Sequence, residues 1–197
     1  NCPPPFAERL IRALPMASAE VKTMTADQCG AATLRAAEMI AESLTAGGKL
    51  MFCGNGGSAG DSQHLAAEFV ATLDHRRPRH GLAALALTTD TSFLTAYAND
   101  FGFEGVFARQ VETLGRPGDV LVAISTSGNS GNVVKACEAA RQNDIRIVGM
   151  TGEGGGKIAN LADLLLAVPS TVTMHIQESH IALGHAMTLA VERLLDV

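Results

Sequence analysis

The sequence predicts an α/β fold: a doubly wound domain with a five-stranded parallel sheet and additional helices at its N-terminal and C-terminal ends. From residue 49 onward, short apolar segments of strand length alternate with segments of helical periodicity. Continuous apolar strands are typical of a parallel sheet that is covered by helices on both faces. Right-handed crossovers between five such strands commonly give the order 2-1-3-4-5, in which strands one and three are neighbours.

The N-terminal part of the chain contains two segments of helical periodicity. An amphipathic pattern extends from about Phe6 to Lys22, and an alanine-rich pattern extends from about Ala26 to Ala46, where Gly47-Gly48 ends it. We expect residues 1–25 to form a separate helical segment and residues 26–197 to form the α/β domain.

Each predicted strand is an apolar run bounded by turn residues. The five strands are Lys49–Cys53, Leu82–Leu87, Asp119–Ile124, Ile145–Met150 and Leu164–Val168. Helical patterns follow the first four strands, only a short one after the fourth, and a long final helix is expected from about Thr173 to Leu195.

Composition argues against several classes of function. With 197 residues, of which 47% are hydrophobic and 18% charged, the chain has the balance of one globular domain. The net charge is −5 and no run of Lys and Arg exceeds two residues, so we expect no nucleic-acid partner. No apolar run approaches the length of a membrane span, and residues 1–5 do not have the pattern of a signal peptide, so we expect no membrane partner.

The cysteines favour a reducing, cytoplasmic location. Cys2, Cys29, Cys53 and Cys137 are widely spaced and form no Cys-x-x-Cys pair. This spacing indicates small buried thiols rather than a disulfide framework.

The segment Gly54-Asn55-Gly56-Gly57-Ser58 lies between the first strand and the following helix, which is a favourable place for an anion. Glycines let backbone N–H groups turn towards a phosphate, and the start of a helix adds its dipole. We expect Ser58 to be the N-cap of this helix, with Asp61 close to a capping-box position.

Two alternatives for this first loop stay open. It can be a tight turn that binds no ligand. It also matches the looser dinucleotide pattern Gly-x-Gly-x-x-Ala through Gly54, Gly56 and Ala59, in which case Asp90 could contact a ribose.

A second loop, Ser125-Thr126-Ser127-Gly128-Asn129-Ser130, follows the third strand and carries four hydroxyl groups. Hydroxyls and the N–H groups of a helix start suit a phosphate monoester, and we expect Ser130 to cap the helix. The loop lacks a Gly-Lys-Ser/Thr ending, which argues against a nucleoside triphosphate. Because strands one and three are expected to be neighbours, the two loops should meet at the switch point where such folds bind ligands.

His64 and Glu68 are four residues apart on the first of these helices and therefore lie on one face of it. Such a pair is usually just a solvated helix pair, but imidazole and carboxylate groups also suit zinc or a similar divalent ion. Beside two phosphate loops, they indicate an enzyme that acts on a phosphorylated sugar.

The C-terminal helix adds further polar residues to an otherwise apolar sequence. Gln177, Glu178, His180 and His185 cluster there, although His175 and His180 could be plain surface or cap residues. Gln177 and His185 are about 80° apart around a helix and roughly 12 Å apart along it. One straight helix would hardly bring both to one ion, so a bend, long reach or a second subunit would be needed.

At these residues the chain resembles the sugar-isomerase (SIS) domain family and, within it, the phosphoheptose isomerases. The resemblance covers roughly residues 30 to 195 and departs from the family at Thr72, where relatives often have arginine. The matching segments are Cys53–Ser58, Gln63-His64 to Glu68, Asn99–Gly102, Gly118–Leu121, Ile124–Ser130, and Ile176–Glu178 with His180 and His185.

The resemblance implies a flavodoxin-like fold and a cytoplasmic homotetramer with active sites at subunit interfaces. It also implies isomerisation of sedoheptulose 7-phosphate to D-glycero-D-manno-heptose 7-phosphate through an enediol, the first step towards ADP- or GDP-heptose for lipopolysaccharide core or another surface glycan. One Zn²⁺ per subunit would be held by His64, Glu68, Gln177 and His185.

The same resemblance implies the roles of the remaining site residues. Glu68 and His185 would act as the acid and the base. The substrate would be contacted by Asn55, Gly56, Gly57, Ser58, Glu68, Asn99, Asp100, Ser125, Thr126, Ser127, Ser130 and Gln177.

A different class of function is compatible with the same fold. The family includes a replication-initiator-associating protein that acts as a binding module, and a sugar-phosphate sensor would also need the two loops. Glu68 and His185 favour the enzyme, because the resemblance implies that the binding-module branch lacks both.

Overall fold

The structure, a computed structural model, describes residues 4–197, with side chains described from Ala7 onward. Its five strands form one parallel sheet in the order β2-β1-β3-β4-β5, so the predicted fold and strand order are confirmed. The strands are β1 Leu50–Gly54, β2 Ala84–Ala86, β3 Val120–Ser125, β4 Arg146–Thr151 and β5 Leu164–Ala167. The α-helices of the described part are α1 Pro4–Thr45, α2 Gly57–Val70, α3 Thr91–Phe101, α4 Val106–Leu114, α5 Gly131–Gln142 and α6 Thr173–Leu194.

The two N-terminal helical segments form one continuous helix, α1, of 42 residues. No glycine or proline lies between Lys22 and Ala26, so the sequence there contains nothing that would stop the helix. Gly47, at a φ of 83°, follows its end as expected. The predicted division between residues 1–25 and 26–197 falls inside α1 and stays a prediction.

The β2 strand is shorter than predicted, because Ala84–Ala86 replaces the expected Leu82–Leu87. It is an edge strand that pairs only with β1, where Leu50 lies opposite Ala84. An edge position requires fewer ladder bonds than the sheet interior, where β1, β3 and β4 run for five or six residues.

The two faces of the sheet have separate hydrophobic cores. Leu50 and Phe52 of β1 point into a core shared with α1, α2 and α6. Their neighbours Met51 and Cys53 point into the opposite core, shared with α4 and α5. Because α2 follows β1 and α5 follows β3, the chain leaves these adjacent strands on opposite faces, which creates the switch point between them.

The described cysteines Cys29, Cys53 and Cys137 are free and buried, as predicted, whereas Cys2 lies outside the described residues. Burial raises the pKa of the Cys53 thiol well above its ordinary value and that of Cys137 to about 12. These two thiols are therefore inert at neutral pH. Within residues 4–197, none of the helices is both long and apolar enough to cross a membrane.

His175 and His180 are buried, which excludes the alternative that they are surface residues. His180 lies on the side of α6 that faces β4, so its burial comes from the packing of α6 against the sheet. The Nε2 atom of His180 lies 3.0 Å from the backbone oxygen of Thr151, to which a neutral ring can donate. Burial lowers the pKa of His180 to about 4.

The low pKa of His180 makes the stability of the protein depend on pH. Between pH 6.5 and 4 the unfolded chain holds a proton on this residue that the folded chain does not, so stability falls as the pH falls. We expect the free energy of unfolding to drop by roughly 2 kcal/mol from this residue between pH 7 and pH 5. Urea unfolding at both pH values measures it. His180→Gln can still donate to Thr151 but does not titrate, so an equally large pH dependence in this variant would contradict the assignment.

Candidate active site

The first loop lies between β1 and α2, but the helix begins two residues earlier than predicted. Gly57 is its first residue and Gly56 its N-cap, at a φ of 55° that favours glycine. Ser58 is buried within the first turn, so its prediction as the N-cap is wrong. The first turn of α2 therefore points backbone N–H groups out of the sheet edge, where an anion can accept from them.

The second loop joins β3 to α5. Ser130 is the N-cap residue of α5, as predicted, but its hydroxyl does not cap the helix. Instead its Oγ lies 2.9 Å from the Oγ of Ser125. Ser127 braces the loop by accepting a hydrogen bond from the backbone N–H of Asn129 at 3.1 Å. The loop thus gathers its hydroxyl groups at the start of α5.

A pair of asparagine side chains joins the two loops. Asn55 donates to the Oδ1 of Asn132 at 2.8 Å, and Asn132 donates back to the Oδ1 of Asn55 at 2.9 Å. The loops also start from paired positions, since Gly54 of β1 lies opposite Ile124 of β3. Asn132 was not predicted, because a single asparagine in the first turn of a helix gives no sign of a partner in a distant loop.

His64, Glu68 and His185 come together further along α2, the helix that begins at the first loop. The Nε2 atoms of His64 and His185 are 2.8 Å apart, and the same atom of His64 is 3.4 Å from Oε1 of Glu68. Solvent can reach the cluster, because the side chains of His64 and Glu68 are 47% and 20% exposed. Two imidazoles and a carboxylate that lie this close together can bind a cation or transfer protons.

Gln177 contacts a different part of α2 from His185. A Cβ atom added to Gly57 would lie 2.6 Å from the Nε2 of Gln177, so this amide packs directly on the start of α2. Gln177 and His185 of α6 contact α2 at Gly57 and His64, which are seven residues apart. This separation agrees with the expectation that one straight helix would hardly bring both side chains to one ion. Gln177 lies beside the phosphate loop, and its role as a fourth ligand stays a prediction.

Asp61 is a site residue that sequence analysis assigned to helix capping only. Its Oδ2 is buried without a hydrogen-bond partner among the described residues. Burial raises the pKa of Asp61, whereas the nearby His64 and His185 act to lower it. Asp61 and His64 are three residues apart on α2, and this spacing is a signal that could have revealed the neighbour.

The residues fit a zinc ion by their chemistry. Within residues 4–197, no group of three or more His, Cys, Asp and Glu side chains is already arranged around a metal position. However, the nitrogens of His64 and His185 converge with Glu68, and the unpartnered carboxylate of Asp61 lies beside them. Nitrogen and oxygen donors of this kind are typical zinc ligands.

Asn99 and Asp100 lie away from this cluster, at the end of α3. Both are exposed, and Asn99 donates to Asp100 at 2.8 Å. Among the described hydrogen bonds, none joins either residue to the two loops. Asp90 caps α3 by accepting from the N–H of Phe93 at 2.9 Å, so the structure gives this carboxylate a local role and does not favour the dinucleotide alternative.

Comparison with known proteins finds one family and close relatives. The family described as SIS domain matches residues 17–152. A phosphoheptose isomerase of Rhodospirillum rubrum is 56% identical over 168 residues, which are 85% of this chain and 88% of the relative. The solved phosphoheptose isomerase of Neisseria gonorrhoeae has a TM-score of 0.89 and 46% identity, covering 95% of this chain and 99% of that one. The solved enzyme of Francisella tularensis has a TM-score of 0.90 and 34% identity, with 95% and 98% covered.

The second loop can be tested by removing its hydroxyls. Ser127→Ala and Ser130→Ala should each weaken binding of a sugar phosphate by about 1–2 kcal/mol, the scale of one hydrogen bond to a charged group. Isothermal titration calorimetry measures the change. Thr113→Ala is the control, because that exposed hydroxyl donates to the backbone oxygen of Arg109 in its own helix. Unchanged affinity in both serine variants would exclude the loop as the phosphate site.

Proposed function

This chain belongs to the SIS domain family and to its phosphoheptose isomerases, and we propose that it converts sedoheptulose 7-phosphate to D-glycero-D-manno-heptose 7-phosphate. The observation that carries this proposal is that α2 begins at one of two joined phosphate-type loops and brings His64 and Glu68 together with His185 of α6. A binding module or sensor needs the loops alone. The chain combines them with acid and base groups, and its relatives are named as isomerases, so those alternatives are not favoured.

Aldose–ketose isomerisation moves a proton between adjacent carbons through an enediol. The reaction needs a base at carbon, an acid at oxygen and stabilisation of the oxygen's developing charge. Glu68 and His185 supply the acid and base jointly, because carboxyl and imidazole groups are the side chains that most often transfer protons in such steps. His64 lies directly beside His185, with their Nε2 atoms 2.8 Å apart.

The phosphate group is held at the start of α2 and α5. Gly56, Gly57 and Ser58 contribute backbone N–H groups, and Ser58 cannot contribute its buried hydroxyl without rearrangement. Hydroxyls of Ser125, Thr126, Ser127 and Ser130 donate from the other side, and the Asn55–Asn132 pair keeps the two loops at a fixed separation. Phosphate binding then directs the carbon chain of the sugar towards Glu68 and His185.

One Zn²⁺ per subunit, held by His64, Glu68, Gln177 and His185, would polarise the oxygens of the substrate when bound. Its ligand set combines the converging imidazoles and carboxylate with an amide oxygen. The enzyme would act in the cytoplasm at the first step towards ADP- or GDP-heptose for lipopolysaccharide core or another surface glycan.

We also propose a homotetramer with active sites at subunit interfaces. α1 exposes Leu10, Ile11, Leu14 and Met16, and a groove of about 320 Å³ runs between α1 and α6. This groove is lined mainly by small or apolar residues, such as Gly30, Leu34, Ala182 and Ala186. A second copy would bury these surfaces, and it could bring Asn99 and Asp100 of one subunit to the substrate of another.

The assay that tests this function measures conversion of sedoheptulose 7-phosphate with and without a chelator. Glu68→Gln and His185→Ala should each lower kcat by at least about 100-fold, the scale of a lost acid–base group, while the circular dichroism spectrum is retained. His75→Ala removes an exposed loop histidine and should leave kcat unchanged. Unchanged kinetics in a folded Glu68→Gln or His185→Ala variant would remove that residue from the mechanism.

Assembly can be measured independently of activity. Light scattering at micromolar concentration should give the mass of a tetramer, with each interface burying more than roughly 1,000 Å². Ile11→Asp puts a charge on the exposed apolar face of α1, where 71% of Ile11 is accessible, and should dissociate the assembly. Thr113→Asp on α4 is the control. A monomeric wild-type chain with full activity would exclude the interfacial site.

A further inference from the structure

Helix α6 runs alongside α2 in the same direction and touches it at three levels. Gln177 packs on Gly57 at the start of α2, and Gly184 packs on Leu65 near its middle. A Cβ atom on Gly184 would lie 2.6 Å from Cδ2 of Leu65, so the helices approach closely there. His64 and His185 are the sequence neighbours of this middle contact, and the distance between them therefore depends on how α6 lies on α2.

The third contact is formed by Arg79, which lies in the segment after α2. Its side chain is only 1% exposed, and its guanidinium donates to the backbone oxygens of Glu68 and Phe69, each at 2.9 Å. These oxygens belong to the last turn of α2, whose carbonyls have no partner within the helix. Arg79 thus caps the turn that carries the proposed catalytic carboxylate, and its charge complements the negative end of the helix.

Glu192 of α6 completes this contact. Its side chain is 7% exposed, and its Oε1 accepts from Arg79 Nε at 2.8 Å and from the N–H of Leu73 at 3.2 Å. The hydroxyl of Thr72 lies 3.5 Å from the same oxygen. One carboxylate on α6 therefore holds both Arg79 and the backbone that leaves α2. Removal of either member would leave a buried charge without its partner.

We propose that Arg79 and Glu192 are positioning residues for the isomerase reaction, which fix the last turn of α2 on α6 and so set Glu68 against His185. This inference rests on the proposed function of Glu68 and His185. Arg79 bonds the backbone of Glu68 itself, and Glu192 lies seven residues after His185 on the same helix. The phosphate loop is at the opposite end of α2, so loosening this contact displaces the reacting groups more than the phosphate site.

The test compares Arg79→Lys and Glu192→Gln with the control Arg146→Lys. Like Arg79, Arg146 donates to a carboxylate and to a helix carbonyl, namely Glu42 Oε2 and Met39 O, each at 2.8 Å. It is a control because it links α1 to β4 instead of α2 to α6. Lysine cannot reproduce the bonds of a guanidinium, and glutamine lacks the charge that Arg79 needs. We expect kcat to fall by about 100-fold in both test variants, the cost of about 1 Å of misplacement, with KM for sedoheptulose 7-phosphate within about threefold of wild type.

A second measurement reports the positions of the two histidines without turnover. In protein labelled with ¹³C at the histidine rings, the His64 and His185 resonances should shift in Arg79→Lys and Glu192→Gln and stay unchanged in Arg146→Lys. A merely stabilising ion pair would lower the urea midpoint in all three variants without changing kcat or these resonances, and that outcome would overturn the proposal. Glu192→Gln decides the question if Arg79→Lys does not fold.

The two hypotheses fail in different ways. If the wild-type enzyme does not isomerise sedoheptulose 7-phosphate, the proposed function fails, and the histidine resonances still decide whether Arg79 and Glu192 position α2 on α6. If the wild type is active and both folded test variants retain kcat within about threefold, the positioning role is refuted and the function stands.

Discussion

The adjacency of β1 and β3 is the constraint on which the rest of the site depends. Their pairing from Leu50 and Val120 to Gly54 and Ile124 brings two loops to one edge of the sheet. The helices that follow leave on opposite faces, so the loops open a crevice instead of packing against each other. The Asn55–Asn132 amide pair then fixes the width of that crevice with two hydrogen bonds. A phosphate held there would meet the positive ends of two helices.

The second requirement is that α6, at the far end of the chain, returns to the face that carries α2. It does so because the apolar core on that face needs α1, α2 and α6 together to cover the sheet. Glycines at the contacts allow the two helices to approach closely, because a Cβ atom at Gly57 would overlap Gln177 and one at Gly184 would overlap Leu65. Burial of apolar surface thus brings His185 close to His64, and polar contacts between α6 and α2 set only the final positions of the side chains.

Local sequence patterns predicted the sheet because strand periodicity and turn residues are local properties. These patterns were less accurate for features that depend on other parts of the fold, such as the burial of a side chain or the residue at which a helix begins. His175 and His180 were considered as surface or cap residues although both are buried, and Ser58 was predicted as the N-cap although Gly56 takes that position. The two anchoring pairs were not found, since Asn55 and Asn132 are 77 residues apart and Arg79 and Glu192 are 113 apart. No pattern in one sequence specifies partners at such distances.

Binding and chemistry occupy opposite ends of α2. Its start faces the phosphate loops, where the helix dipole favours an anion, while Glu68 lies in its last turn, where the dipole disfavours a carboxylate. The Arg79 guanidinium satisfies the carbonyls of this turn, but its charge is paired with Glu192. The pairing with Glu192 fixes this helix end against α6, so the turn that carries Glu68 is held in place by both hydrogen bonds and an ion pair.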